Sequence, residues 1–213
     1  EEEGLRNNAY TNVMVAWICE MALEVIERLP ERARRSLCAK IGLSENEVQS
    51  WWDMSHRMFV PFHDKGIISQ FEGYEELKEL DWEFYRAKYG NIQRLDRILR
   101  AEGDTPDRYK LSKQADALML FFMFGEDELR RIFDRLGYAY TPDTARKNIA
   151  YYEPRTTHGS TLSFVVHAAI LADLDPKSSW DMFTTALESD VSDIQGGTTK
   201  EGIHMGVMAG ALV

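Results

Sequence analysis

The sequence predicts an all-α fold built in two layers, and three observations carry that reading. Apolar residues recur at helical rather than strand spacing along nearly the whole chain. Strongly amphipathic segments alternate with segments that are apolar on most sides, the pattern expected when an outer ring of helices covers an inner one. Strand–helix–strand alternation is missing, and the only strand-like pieces are residues 59–62 and 66–71.

The elements follow in order. Residues 11–29 place Val13, Ala16, Trp17, Met21 and Val25 on one stripe, and Pro30 stops the run because it has no N–H to continue the ladder. Residues 30–40 form a charged second helix ending at Gly42, the residue type best suited to a left-handed stop. Ser44 caps a third helix, with Glu47 three residues on in capping-box spacing. Helices over 74–88 and 92–101 are separated by Gly90-Asn91. Residues 112–124 are apolar on most sides and read as an inner helix, whereas 126–136 are amphipathic and end at Gly137. Pro142, after Thr141, opens a helix that reaches Tyr152. Residues 160–171 form a second inner helix and 178–189 an outer one. A last helix begins near Thr198, where Thr198 and Glu201 repeat the capping-box spacing.

Charge and composition remove several function classes. The 213 residues carry 25 Lys and Arg against 35 Asp and Glu, a net charge of −10. A duplex binder needs a basic face to displace counterions, and the densest basic run, residues 28–35, is interrupted by Glu31. No nucleic-acid partner is expected. The longest unbroken apolar runs, 117–124 and 164–171, fall short of the roughly 18 residues of a membrane span, so no membrane is expected either. Two cysteines, Cys19 and Cys38, are too few for a disulfide scaffold and suit a reducing, cytoplasmic setting. The chain opens on Glu1 rather than Met and runs to Val213 inside an apolar Gly/Ala stretch. It reads as a piece of a longer protein, with 1–213 a single domain.

Four clusters of polar residues and glycine sit against the predicted inner helices. The first, residues 152–163, contains Glu153, His158, Gly159, Ser160 and Thr161 and ends where an apolar helix starts. Unpaired N–H groups and the positive end of the macrodipole gather there, so residues 159–161 suit an anion. The same residues also fit a plain N-cap and a hydrogen-bonded loop histidine. The second, residues 190–204, joins Gly196-Gly197 to Glu201 and His204 on one helix face, or is simply a glycine turn with a capping box. Zinc is not expected, because His204 has no second histidine at i±4 and His167 reads as a hydrogen-bonded core residue. The third, residues 110–116, sets Lys113 and Gln114 at the mouth of the most apolar helix, where an ammonium and an amide suit a hydroxyl-rich ligand; a solvated helix start fits as well. The fourth, residues 60–66 with 70–74, combines aromatic rings with His63, Gln70 and Glu72, either for the faces and edges of a sugar or as a folded loop.

Taken together, these stretches resemble the catalytic domain of glycoside hydrolase family 65, which includes inverting phosphorylases of maltose, trehalose and kojibiose and some hydrolases. The matching runs are Asn7-Asn8-Ala9-Tyr10-Thr11-Asn12, Gln70-Phe71-Glu72-Gly73-Tyr74, Lys113-Gln114-Ala115-Asp116, Thr156-Thr157-His158-Gly159-Ser160-Thr161-Leu162-Ser163, and the segment from Asp193-Ile194-Gln195 to Ile203-His204. They appear in family order over nearly the whole chain. The resemblance implies an (α/α)6 barrel, with this chain as its C-terminal portion, in agreement with the two-layer reading.

By that resemblance Lys113 and Gln114, with Gln70, bind the glucosyl unit being transferred. Ser160 and Thr161, with the Gly159 backbone, hold phosphate, and His204 is their cationic or hydrogen-bonding partner. The family's general acid is a Glu in a Gly-Pro-Asp/Asn-Glu stretch ahead of the 7–12 motif. Glu1, Glu2 and Glu3 lack that context, so the acid is expected upstream of Glu1. The implied activity is cleavage of an α-glucosidic disaccharide of the trehalose, maltose or kojibiose class by inorganic phosphate as co-substrate, with no cofactor, giving β-glucose 1-phosphate and glucose. An inverting hydrolase with Glu153 activating water, and a non-catalytic carbohydrate-binding piece, are the alternatives. The expected partners are the disaccharide and phosphate. Taken alone the piece is expected to be inactive, with a second copy or a complementing chain segment as the two ways to complete it.

Overall fold

The computed structural model describes residues 4–64, 66–194 and 202–212. Among these, eleven α-helices, three single 3-10 turns and one two-stranded hairpin make up the regular structure. Helix α1 (Ala9–Arg28) starts where the Asn8 side-chain oxygen accepts the Thr11 N–H at 2.9 Å. Helix α2 (Glu31–Ile41) closes on Gly42 in the left-handed region, φ 68°. Helix α3 (Glu45–Arg57) carries the full capping box: Ser44 Oγ accepts the Glu47 N–H, and the Glu47 carboxylate accepts the Ser44 N–H at 2.9 Å. Strands β1 (Phe62–His63) and β2 (Ile67–Ile68) pair antiparallel. The Ile68 N–H is taken by the buried Asn148 side chain at 2.8 Å, which docks the hairpin onto α8 (Thr144–Tyr152).

Two predicted helices are shorter than their periodicity suggests. Residues 74–88 give one 3-10 turn, Tyr74–Glu76, and then helix only as α4 (Trp82–Tyr89). The intervening backbone is committed elsewhere. Lys78 N–H donates to the Arg108 carbonyl at 3.0 Å, and Lys110 N–H donates to the Lys78 carbonyl at 2.7 Å. Residues 112–124 are helical only as α6 (Asp116–Met123), because Ser112 forms a parallel bridge with Thr156. The other helices are α5 (Leu95–Ala101), α7 (Glu126–Arg135), α9 (Thr161–Leu171), α10 (Pro176–Glu188) and α11 (Met205–Gly210). The predicted helix start at Thr198 and its capping spacing to Glu201 lie outside the described residues.

Helix α6 touches both α1 and α9. Ala9, Val13 and Ala16 of α1, Leu118 and Leu120 of α6 and Leu171 of α9 share one core, backed by Phe133 of α7 and Tyr152 of α8. Helix α3 lies along α1, and α10 along α9. An inner row of apolar helices is thus covered by an outer row, a portion of an (α/α)6 barrel. One expectation needs correction. Helix α1, with 20 residues and an apolar window of mean hydropathy 1.3, is long and apolar enough to cross a membrane by length and composition. A search for unbroken apolar runs misses it because Glu20 and Glu24 interrupt it. In the fold, Glu20 pairs with Arg131 and Arg135 of α7.

Candidate active site

The hairpin, the approach to α6 and the approach to α9 meet at one place. Gln70, just after β2, is buried and uses both ends of its amide there. Its Nε2 donates to Ser112 Oγ at 2.6 Å, and its Oε1 accepts the Ala117 N–H at 2.9 Å, inside the first turn of α6. Its carbonyl accepts the Ala9 N–H at 3.1 Å at the head of α1. The 7–12 motif ties in from the same side: Asn7 Nδ2 donates to Glu72 at 2.8 Å and Asn12 Nδ2 to the Phe59 carbonyl at 2.8 Å. Ser112 N–H then donates to the Arg155 carbonyl, and Thr157 N–H to the Ser112 carbonyl, both at 2.9 Å. Two helix approaches are thereby sewn together.

A hollow of about 660 Å³ opens at this junction, lined among others by Gln70, Phe71, Tyr74, Ser112, Lys113 and Thr157. Rings, an ammonium group and hydroxyls face one space, as a sugar site requires. Gln114 does not line it; its Nε2 lies 3.0 Å from Met119 Sδ. Gln70 lines it as a brace, its amide already engaged by Ser112 and Ala117.

The sequence-predicted anion residues lie next to Lys113. A Cβ added at Gly159 would stand 2.5 Å from the Gln93 carbonyl oxygen and 2.9 Å from Lys113 Cγ. Only glycine fits, and its backbone runs directly against the Lys113 stem. Ser160 is the N-cap of α9, but its side chain makes no capping hydrogen bond, and the first turn carries no acidic residue. The first turn of this apolar helix therefore supplies no carboxylate of its own against its positive end. Thr161 is buried and Ser160 half-buried.

Behind the turn lies a group that spacing along the chain did not reveal. His158 has left-handed backbone, φ 53°. Its Nδ1 meets Ser163 Oγ at 3.0 Å, its ring stacks on Phe164, and its Nε2 lies 3.8 Å from Glu153 Oε1. The other Glu153 oxygen is taken by Nδ1 of the fully buried His167 in a short hydrogen bond. Ligand-type atoms of Glu153, His158 and His167 all lie within 4.8 Å of one another, so among the described residues these form a group that could hold a metal ion. Burial, with the neighbouring His167 charge, pushes His158 down to about 4. Burial works to raise the Glu153 carboxyl, but the His167 hydrogen bond and the two imidazoles outweigh it and hold the group below its ordinary value.

His204 precedes α11. Asp190 grips it twice: its Oδ2 accepts the His204 N–H at 2.8 Å, and its Oδ1 meets Nδ1 at 2.5 Å. These hydrogen bonds hold the Asp190 carboxyl below its usual range. Helix α10 runs back along α9, since Ser179 Oγ donates to the Ala168 carbonyl at 2.7 Å and Ala186 packs with Phe164 and Val165. Asp190, just past α10, therefore returns toward the end of the pair where α9 begins. Among the described residues no hydrogen bond joins His204 to residues 159–161. Asp190 has no motif signature in the sequence, and Gln93 contributes through its carbonyl, which any residue type could supply.

The profile of the glycosyl hydrolase family 65 central catalytic domain matches residues 2–213. An uncharacterized glycosyl hydrolase of Mycobacterium tuberculosis is 54% identical over all of this chain, which covers 16% of that protein. The trehalose 6-phosphate phosphorylase of Lactococcus lactis is 37% identical over all of the chain, which covers 26% of it. A solved structure from the human microbiome, assigned provisionally to kojibiose phosphorylase, superposes with a TM-score of 0.73 at 25% identity, over 96% of this chain and 26% of that one. The chain thus spans between about a sixth and a quarter of the length of these relatives. Helical layers, converging loops and motif order agree with the profile match, and the chain belongs to glycosyl hydrolase family 65 as part of its central catalytic domain.

Proposed function

We propose that the protein carrying this chain is an inverting phosphorylase of an α-glucosidic disaccharide. In this reading the chain supplies the wall that holds the transferred glucosyl unit and the turn that holds phosphate. The contact between Gly159 and Lys113 carries the proposal, because it places the head of α9 against the sugar-type hollow. Names among the relatives support the same class: phosphorylases of trehalose 6-phosphate, kojibiose and maltose.

In the proposed step a phosphate oxygen bonds to C1 from the face opposite the glycosidic oxygen. The C1–O bond breaks, and a general acid outside the motifs of this chain gives its proton to the departing oxygen. The product from an α-linked donor is β-glucose 1-phosphate. Phosphate arrives as an anion, so no base is required, but desolvating it requires several donors. Backbone N–H groups at the start of α9, the Ser160 hydroxyl and the His204 imidazole are the proposed donors. A hydrolase using Glu153 to activate water is disfavoured, because one oxygen of that carboxylate is already hydrogen-bonded to His167 and the other lies 3.8 Å from His158.

Substitution separates the two halves of the site. In the whole protein, Ser160→Ala and His204→Ala should each raise the phosphate KM by roughly tenfold, the loss of about one charge-assisted hydrogen bond, with the disaccharide KM changing less. Lys113→Ala should do the reverse. Equal loss of both affinities in all three variants would contradict the assignment.

A further inference from the structure

The proposed anion turn is held by residues that do not line the sugar-type hollow. His158 adopts φ 53°, an uncommon backbone for a residue bearing Cβ, and its surroundings hold it there. Three contacts do so. Phe164 stacks on the ring at 5.3 Å between centroids, His167 meets it edge-on at 4.6 Å, and Ser163 Oγ fixes Nδ1 at 3.0 Å. That last contact turns Nε2 toward the Glu153 carboxylate. His167, wholly buried on α9, holds that carboxylate by its other oxygen. The turn at 153–155 is thereby tied to the first two turns of α9, and the residue clamped between them is the one that precedes Gly159.

We propose that Glu153 and His167 are positioning residues that clamp the His158 imidazole and so hold the left-handed turn presenting Gly159, Ser160 and Thr161. This rests on the reading of that turn as the phosphate site. The arrangement is a hydrogen-bonded clamp rather than a metal centre. His167 Nδ1 and the Glu153 oxygen are in direct hydrogen-bond contact, so each already satisfies the other. Among the described residues His167 Nε2 is buried without a hydrogen-bond partner, whereas a metal-bound imidazole characteristically donates its second N–H.

The test uses the whole protein and compares Glu153→Met, which removes the acceptor at similar volume, with His167→Asn, whose amide nitrogen can replace Nδ1 as donor. Glu153→Met should raise the phosphate KM at least tenfold while the disaccharide KM stays within twofold. His167→Asn should keep the phosphate KM within threefold of the parent. Equal shifts in both KM values, no shift, or His167→Asn as damaging as Glu153→Met would each overturn the clamp. If Glu153→Met does not fold, His167→Leu carries the same prediction, and failure of both to fold would make the cluster a stability element and overturn it. Zinc retained by the parent and lost from Glu153→Met would replace the clamp by a metal site. Ser160→Ala raising the phosphate KM while Glu153→Met is silent would sink only the clamp; a parent with no phosphate dependence would sink the phosphate reading beneath it.

Discussion

At the scale of the residue, Gly159 is the most constrained position. An alanine Cβ there would press into the Gln93 carbonyl, which is backbone and cannot swing away, and into the Lys113 stem. Gly159→Ala should therefore cost about 1–3 kcal/mol of stability, as overpacking does, and should raise the disaccharide KM by displacing Lys113. A thermal melt with a KM measurement checks both, and a silent substitution would contradict the close approach. Asn148 is a second such residue: it accepts the Ile68 N–H and donates to the Gly66 and Thr144 carbonyls. Asn148→Ala should cost roughly 2–3 kcal/mol by leaving a buried N–H without an acceptor, read as a lower denaturation midpoint. His158 gives a pH dependence. Its ordinary value of 6.5 falls to about 4 in the fold, so the neutral ring is the form the fold accommodates. Its contribution is present above 6.5 and is lost as pH falls from 6.5 toward 4, up to about 3 kcal/mol. Glu153, held below its ordinary value of 4.5, adds a loss of the same sign as acid protonates it. Melting temperature should decline through that window, and less steeply in His158→Asn, since Asn tolerates the left-handed backbone. The motif residues were legible in the sequence because glycine and hydroxyl residues at a helix start have a local signature. The Glu153–His158–His167 contact was not, because a 3-10 turn and two turns of α9 create it.

At the scale of the element, legibility tracks how local the deciding interaction is. The capping box of α3 was readable because Ser44 and Glu47 satisfy each other within four residues. Ser44→Ala should accordingly cost about 1 kcal/mol, measurable as a shift in the denaturation midpoint. The inner helices α6 and α9 were readable from their apolar sequence, and α9 buries Ser163, Phe164, Val165, Val166, His167 and Ala168 in an unbroken row. The failures are non-local. Residues 77–81 carry helical periodicity, yet Lys78 gives its backbone to residues 108 and 110. Residues 112–115 look like the first turn of a helix, yet Ser112 pairs with the strand-like 155–157 segment. Both losses of helix fall beside the hollow, where backbone is spent on joining loops.

At the scale of the whole molecule, alternating apolar and amphipathic helices yield two layers, and the layering puts helix starts and loops at a common end. Lys113, Thr157 and Gly159 come together there, although the chain separates the first two by 44 residues. The chain's net charge of −10 offers an anion no long-range attraction, so the proposed binding of phosphate relies on local donors at the head of α9. The most direct measurement is the initial rate of glucosyl release by the whole protein from trehalose, trehalose 6-phosphate, maltose and kojibiose, with and without inorganic phosphate, with the anomer of any glucose 1-phosphate identified. The account predicts release that requires phosphate and yields the β anomer from one of these α-linked donors. Release at an unchanged rate without phosphate, or formation of the α anomer, would contradict it.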